Sequence, residues 1–163
     1  MVFFVYLWRI MENLFKGIHT LNLDSKGRLG IPVTYRDHIM GFLKGSMVIT
    51  IDTEEKCLLL YPSATWSKIQ NKINELPSFN KNARRIQRLI IGHAEDVDVD
   101  SSGRILISRP LRDYASLSKK VTLIGQGEKF EIWDQNFWNE NVDKWREEVT
   151  SNDDAEALKD ISI

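Results

Sequence analysis

Two stretches of the chain decide its fold: LDSKGRLGIPVTYRD, from Leu23 to Asp37, and VDSSGRILISRPLRD, from Val99 to Asp113. Set 76 residues apart, they agree at Asp24/Asp100, Ser25/Ser101, Gly27/Gly103, Arg28/Arg104, Ile31/Ile107, Arg36/Arg112 and Asp37/Asp113. Further on, Leu60-Tyr61 and Trp66 match Ile132-Trp133 and Trp138 at a separation of 72, so the second copy is a few residues shorter in an intervening loop. Self-similarity of this kind marks one structural unit used twice.

Each copy reads alike. An alternating strand (Ile18–Leu23, Glu95–Val99) leads into an Asp-x-x-Gly turn and a second strand (Arg28–Ile31, Arg104–Ile107). Asp bonds the backbone ahead of it and Gly supplies a positive φ, which is what a tight turn needs. A short helix follows, with Pro32 or Pro110 near its first turn. Two β-rich runs come next, Met47–Ile51 with Cys57–Tyr61 and Val121–Ile124 with Phe130–Trp133. Each copy closes on an amphipathic helix carrying Trp66, Ile69, Ile73 and Leu76, or Trp138, Val142, Trp145 and Val149. Large aromatics dominate burial, so these read as packing residues and not as platforms for stacking bases. Between the copies, Asn80–Gly92 (NKNARRIQRLIIG) is a helix with Ala83, Ile86, Leu89 and Ile90 on one side and Lys81, Arg84, Arg85 and Arg88 on a single basic face.

At 163 residues, 42% hydrophobic and 28% charged, the chain has material for a packed core and is not disordered. One cysteine, Cys57, excludes an intrachain disulfide framework and any multi-cysteine zinc site. The apolar run Val2–Trp8 (VFFVYLW) is far short of the roughly 20 residues that span a bilayer. It has no basic segment before it and no small-residue cleavage site after it, so it does not read as a signal peptide. The expectation is an upstream extension ahead of a natural start at Met11, with a cytoplasmic protein and no membrane partner.

The net charge of −1 conceals a partition. Residues 1–139 carry 19 Lys plus Arg and 15 Asp plus Glu, whereas residues 140–163 carry 3 and 8. A mildly basic body with an acidic end permits binding to phosphates without establishing it. Enzymatic signals are poor. His19, His38 and His93 have no i, i+4 partner, and there is no phosphate-binding GxxxxGK[ST], GxGxxG or GxSxG motif. Gly125-Gln126-Gly127 reads as a hairpin turn, Cys57 as a small buried hydrophobe, and the alternating Asp96, Asp98 and Asp100 as a solvated strand edge. No cofactor, metal site or catalytic residue is expected.

The duplicated turn carries the best chemistry. Asp24 with Arg28, and Asp100 with Arg104, are placed to pair across it, with Gly27 and Gly103 shaping the backbone. A hairpin tip bearing guanidinium groups and Lys26 suits phosphate or the guanine edge, which Arg binds bidentately.

The segments FKG…LDSKGRLGIP, CLLLYP…W, RRIQRLIIGHA, VDSSGRILI and FEIWD…W, in this order, closely resemble the MraZ family of bacterial transcriptional regulators, over about Phe15 to Trp138. The resemblance implies an α+β fold of two tandem swapped-hairpin AbrB/SpoVT-like β domains with short flanking helices. Its expected layout is an extension over 1–14, a first domain over 15–78, a basic linker helix over 79–93, a second domain over 94–139, and a C-terminal helix with acidic tail over 140–163. It also implies ring-shaped homo-oligomers, nucleoid association, and binding to short direct repeats in double-stranded DNA upstream of the division and cell-wall gene cluster, commonly as a repressor.

The family's DxxxR signature falls on Asp24 with Arg28 and on Asp100 with Arg104. In the second copy Lys26 becomes Ser102 and Pro32 becomes Ser108, so the first turn is the more basic. The expected DNA-binding residues are Lys26, Arg28, Arg104, Lys16 and Arg36, with Asp24, Asp100, Gly27 and Gly103 orienting the turns. Arg84, Arg85 and Arg88 are further candidates from the basic helix. The main rival reading is an AbrB-like antitoxin or protein-interaction module; an enzyme is the second, and no constellation of residues supports it.

Overall fold

Both copies form the expected strands and helices, except that Gly125–Gly127, expected as a hairpin turn, ends a strand; neither copy keeps its strands to itself. The computed structural model describes residues 15–151 and residue 161; the extension over 1–14 with its start at Met11, and nearly all of the acidic tail, lie outside the described residues. The first copy runs β1 (Phe15–Asn22), β2 (Arg28–Gly30), α1 (Val33–Asp37) widening into a π-helical turn over His38–Phe42, β3 (Ser46–Ile51), β4 (Leu58–Pro62) and α2 (Ser63–Asn74). The helix α3 (Lys81–Ile86), also ending in a π-helical stretch over Gln87–Ile91, leads into the second copy. That copy comprises β5 (Glu95–Asp98), β6 (Arg104–Leu106), α4 (Arg109–Tyr114), β7 (Lys120–Gly127), β8 (Phe130–Asp134) and α5 (Gln135–Ser151).

Six strands form one antiparallel sheet in the order β1-β7-β8-β4-β3-β5. The first strand of each copy therefore pairs with the third strand of the other-numbered half: β1 lies on β7, from Phe15 against Gly127 to Asn22 against Lys120, and β5 lies on β3. The halves join at the centre, where Leu58 to Leu60 pair with Ile132 to Phe130. The remaining two strands, β2 and β6, pair with each other as a short ribbon, and Leu29 of β2 also bridges Leu23. This is the exchanged-strand arrangement that the resemblance implies.

The turns make the exchange reciprocal. In each, the Asp N–H donates to the Arg carbonyl and the Gly N–H to the Asp carbonyl, at 3.0 Å in both cases for Asp24 and 2.9 Å in both for Asp100. The Ile107 N–H then donates to the Gly27 carbonyl, and the Ile31 N–H to the Gly103 carbonyl, both at 2.8 Å. Both glycines have positive φ, +84° and +77°, and neither has room for a Cβ. Arg112 from the second copy packs against Gly27, and Arg36 from the first against Gly103.

Side-chain alternation, with its period of two, gives the sheet two covered faces. Met47, Ile49 and Ile51 of β3, Leu58 and Leu60 of β4, and Leu123 of β7 point to one face. There they meet Leu29, Ile31, Ile105 and Ile107 from the ribbon, and Tyr35 and Leu111 from α1 and α4. Val48, Leu59, Tyr61 and Trp133 point the other way, to Trp66 of α2, Ile90 and Ile91 of the linker, and Trp138 and Trp145 of α5. Trp145 sits edge-on to Trp133 at 5.1 Å between ring centroids. The tryptophans are thus packing residues, as their spacing suggests. Two positions on the expected apolar stripes depart from it. Leu76 falls beyond the end of α2 and Val149 lies in the exposed last turns of α5.

Within the ribbon, Leu29 and Ile105 are fully buried while Leu106 is 57% exposed. Ile105→Ala is expected to cost about 2–5 kcal/mol in denaturant unfolding, whereas Leu106→Ala stays within about 0.5 kcal/mol of the parent chain. Equal losses at the two positions would overturn the assignment of the ribbon's faces.

Candidate nucleic-acid interface

The ribbon register decides which side chains share a surface. Arg28 is opposite Leu106, Leu29 opposite Ile105, and Gly30 opposite Arg104. Since Leu29 and Ile105 enter the core, Arg28, Gly30, Arg104 and Leu106 face outward together. Arg28 and Arg104 are diagonal neighbours, which in an antiparallel pair stand about 7–8 Å apart. Among the described residues, no atom lies within 4 Å of a Cβ built on Gly30, so this face is open at its centre.

Each arginine is held by its own turn. The Asp24 carboxylate accepts from the Lys26 N–H at 2.9 Å and the Arg28 N–H at 2.8 Å through Oδ1, and from Arg28 Nε at 2.7 Å through Oδ2. Asp100 repeats this with Ser102 N–H and Arg104 N–H at 2.9 Å and Arg104 Nε at 3.2 Å. The bond from the Arg28 N–H is the main cause that holds the Asp24 carboxyl down to about 2, with the Arg28 side chain and the Lys26 N–H adding to it. The Arg104 N–H does the same, in the same direction, for Asp100. Each carboxylate takes Nε and fixes the plane of the guanidinium, leaving its terminal amino groups outside the ion pair. A pre-oriented planar fork is what bidentate recognition of a guanine edge or a phosphate requires.

The other expected contact residues are dispersed. Lys26 is exposed at the tip of the first turn, beside Arg28. Arg36 is half-buried, donates through Nε to the Ile31 carbonyl at 2.7 Å, and lies over Gly103, so its guanidinium braces the second turn. Lys16 stands at the far end of β1 from the turn, where its carbonyl accepts from the Tyr35 hydroxyl. Arg84, Arg85 and Arg88 are exposed on a helix started by Asn80, whose side chain accepts from the Asn82 and Ala83 N–H groups at 2.9 and 3.1 Å. That helix is tied to the opposite side of the six-stranded sheet, where Thr50 donates to the Ile90 carbonyl at 2.6 Å. The ribbon thus brings together Arg28 and Arg104, with Lys26 at one end, and the basic helix stands away from it.

Leu106 is a contact candidate that the residue patterns did not single out. Its neighbours Ile105 and Ile107 are buried, so a large exposed apolar side chain between two arginines is visible only once the register is known. In a groove, an apolar side chain at such a position suits the thymine methyl group.

No other grouping among the described residues offers comparable chemistry. Asp96 and Asp98 are exposed on the edge strand β5 and Asp100 is engaged with Arg104, so the three do not converge on a cation. Ligand atoms of Asp52, Cys57 and Glu131 lie within 4.8 Å of one another. Asp52 there accepts from the Glu54 and Glu55 N–H groups, and Glu131 from the Trp133 indole. Burial, reinforced by the surrounding carboxylates, pushes the Cys57 thiol well above its ordinary value, and a protonated thiol is a poor ligand. Among the described residues, no helix is long and apolar enough to cross a membrane.

Comparison with known proteins agrees with the duplication. The family model described as "MraZ protein, putative antitoxin-like" matches twice, over residues 14–89 and 90–161. A transcriptional regulator MraZ of Legionella pneumophila strain Corby is 49% identical over 152 residues, 92% of this chain and 100% of the relative. One of Alkalilimnicola ehrlichii is 45% identical over 150 residues, with the same coverage of 92% and 100%. A third, of Halorhodospira halophila, is 44% identical over 140 residues, 86% of this chain and 92% of the relative.

The turn's electrostatics give a pH signature. Because the Asp24 carboxyl titrates lower in the folded chain than in the unfolded one, its contribution to the turn is complete above about pH 4 and fades as pH falls toward 2. A carboxyl-carbon NMR titration should place its midpoint at about 2. In Arg28→Ala the midpoint should rise but stay below the ordinary carboxylate range, because the backbone N–H groups remain. A full return to the ordinary value would show that the side chain, and not the turn, holds the charge.

Proposed function

The chain belongs to the MraZ family and is a transcriptional regulator, and from that premise we propose that it acts by placing its β2–β6 ribbon against double-stranded DNA. The observation that carries this reading is the open outer face of the ribbon, with Arg28 and Arg104 diagonal to one another and each clamped by an aspartate. The major groove is wide enough for a two-stranded β-ribbon. Arg28 and Arg104 then address base edges or phosphates, Lys26 adds a phosphate contact from the more basic turn, and Leu106 meets a thymine methyl. The ion pairs to Asp24 and Asp100 hold the donors in place before contact, which lowers the ordering cost of binding. Arg36 acts behind the second turn.

The finer reading is a repressor of the bacterial division and cell-wall gene cluster, cytoplasmic and associated with the nucleoid. It binds short direct repeats upstream of its own gene as a ring-shaped homo-oligomer. A ring repeats the ribbon at regular intervals, so tandem DNA repeats engage several ribbons and gain through effective concentration. Self-association fits a chain whose described surface leaves β1 and β5 as sheet edges and exposes Ile18, Val33 and Phe79. None of this needs a catalytic step. The antitoxin-like description of the family keeps a second reading, in which the same surface also meets a partner protein; a stoichiometric second protein retained through purification from the native cell would favour it.

The deciding measurement is binding to the protein's own upstream DNA over a salt series. Arg28→Ala should lose about 1–3 kcal/mol of discrimination between the upstream repeats and scrambled duplex, and Lys26→Ala should weaken both duplexes alike and make the salt slope shallower by about one. Leu106→Ala should reduce discrimination with the salt slope unchanged. Equal affinity of the parent chain for upstream and scrambled duplex would refute the function, and unchanged affinity in Arg28→Ala would refute the site.

A further inference from the structure

Beside the first turn lies an open cleft of about 600 Å³ that the DNA-binding reading leaves unused. One wall is the turn itself, through Asp24 and Ser25, and the other is formed by Arg112 of α4 and by Leu117 to Lys119 of the α4–β7 connection. The Leu23 N–H donates to the Lys119 carbonyl at 2.7 Å, and the Leu117 N–H to the Arg112 carbonyl at 2.9 Å, so both walls are fixed by backbone bonds.

Arg112 is the anomaly in this cleft. It is the repeat partner of Arg36, and each packs its guanidinium against the glycine of the opposite turn. Arg36 satisfies its Nε on the Ile31 carbonyl at 2.7 Å. The Nε of Arg112 is buried and, among the described residues, has no hydrogen-bond partner. An ionised donor withdrawn from water without an acceptor is costly and normally finds a ligand or a partner. Among the described residues the one carboxylate on the cleft wall, Asp24, is engaged by Arg28 and two backbone N–H groups. Lys119 is exposed on the same wall as Arg112 and supplies a second positive charge. At the position matching Lys119 the first copy has Gly45, whose carbonyl accepts from the Val99 N–H at 3.0 Å.

We propose that this cleft binds a phosphate group, with the Arg112 guanidinium as the planar donor and the Lys119 ammonium as the second charge. Guanidinium geometry matches paired phosphate oxygens, and an ammonium neutralises the remaining charge without demanding a fixed direction. The phosphate comes either from the backbone of a duplex lying on the ribbon or from a free phosphorylated small molecule, for which the cleft has room. In both cases the occupant lies against the first turn, at Asp24 and Ser25. The duplex source rests on the DNA-binding reading above; the free source does not.

The test uses the full chain, with Arg112→Gln and Lys119→Gln. In the first arm, thermal unfolding is followed against inorganic phosphate, with sodium chloride at matched ionic strength as reference. A free-phosphate site gives a saturable rise in the parent chain's midpoint that both variants lose. In the second arm, binding to the upstream duplex is measured over a salt series. A duplex-phosphate site makes the slope of log affinity against log salt shallower by about one in each variant, with the preference for upstream over scrambled sequence unchanged. Variants matching the parent chain in both arms overturn the proposal. Should Arg112→Gln fail to fold, the exposed Lys119 carries both arms alone. Absence of any upstream preference in the parent chain counts against the DNA-binding reading, and the phosphate arm still decides the cleft.

Discussion

Everything in the molecule turns on two backbone hydrogen bonds, from the Ile107 N–H to the Gly27 carbonyl and from the Ile31 N–H to the Gly103 carbonyl. They extend the β2–β6 pairing at both ends and lock each copy's turn to the other copy's strand. With the turns so fixed, β1 is delivered to β7 and β5 to β3, and the core closes around residues from both copies. The bonds also demand glycine. A side chain at Gly27 or Gly103 would need a strained backbone and would collide with the arginine packed on it. The duplicated pattern of the repeat is thus a set of steric requirements as much as a chemical signature.

Much of this was legible in the residues. The Asp-x-x-Gly-Arg spacing, with aspartate and arginine four apart, predicts an ion pair across a tight turn, and both pairs form. The β-rich run Met47–Ile51 predicts a strand, and the spacing of Trp138 and Trp145 predicts an amphipathic helix that packs; both form, with those tryptophans against the sheet. These are local patterns, with their physical cause within a few residues of each other.

What the residues alone withheld was long-range pairing. Nothing in the neighbourhood of Leu106 says that it faces outward between two arginines; that follows from its register against Arg28, 78 positions earlier. Arg112 is likewise matched to Arg36 in the repeat, which marks it as a duplicated residue. Only the geometry separates a satisfied Nε from an orphaned one. Two positions identical in type therefore differ in their hydrogen bonding, because one acceptor lies within reach and the other does not. The basic face of Arg84, Arg85 and Arg88 is the converse case. Its helical periodicity is correct, yet its position across the sheet from the ribbon is set by Thr50 and the linker's apolar side.

The exchange of strands also governs how the chain is made. Phe15 pairs with Gly127, so the first strand to leave the ribosome waits for more than a hundred further residues before its partner exists. At about 5–20 residues per second that interval is several seconds to tens of seconds. Throughout it, β1 lacks β7 and β4 lacks β8. A nascent chain held open in this way can satisfy its first strand with the third-position strand of a neighbouring nascent chain, since the two are chemically identical to its own. Polysomes translating one message hold such neighbours close together, so the spacing of ribosomes becomes a variable in whether each chain closes on itself.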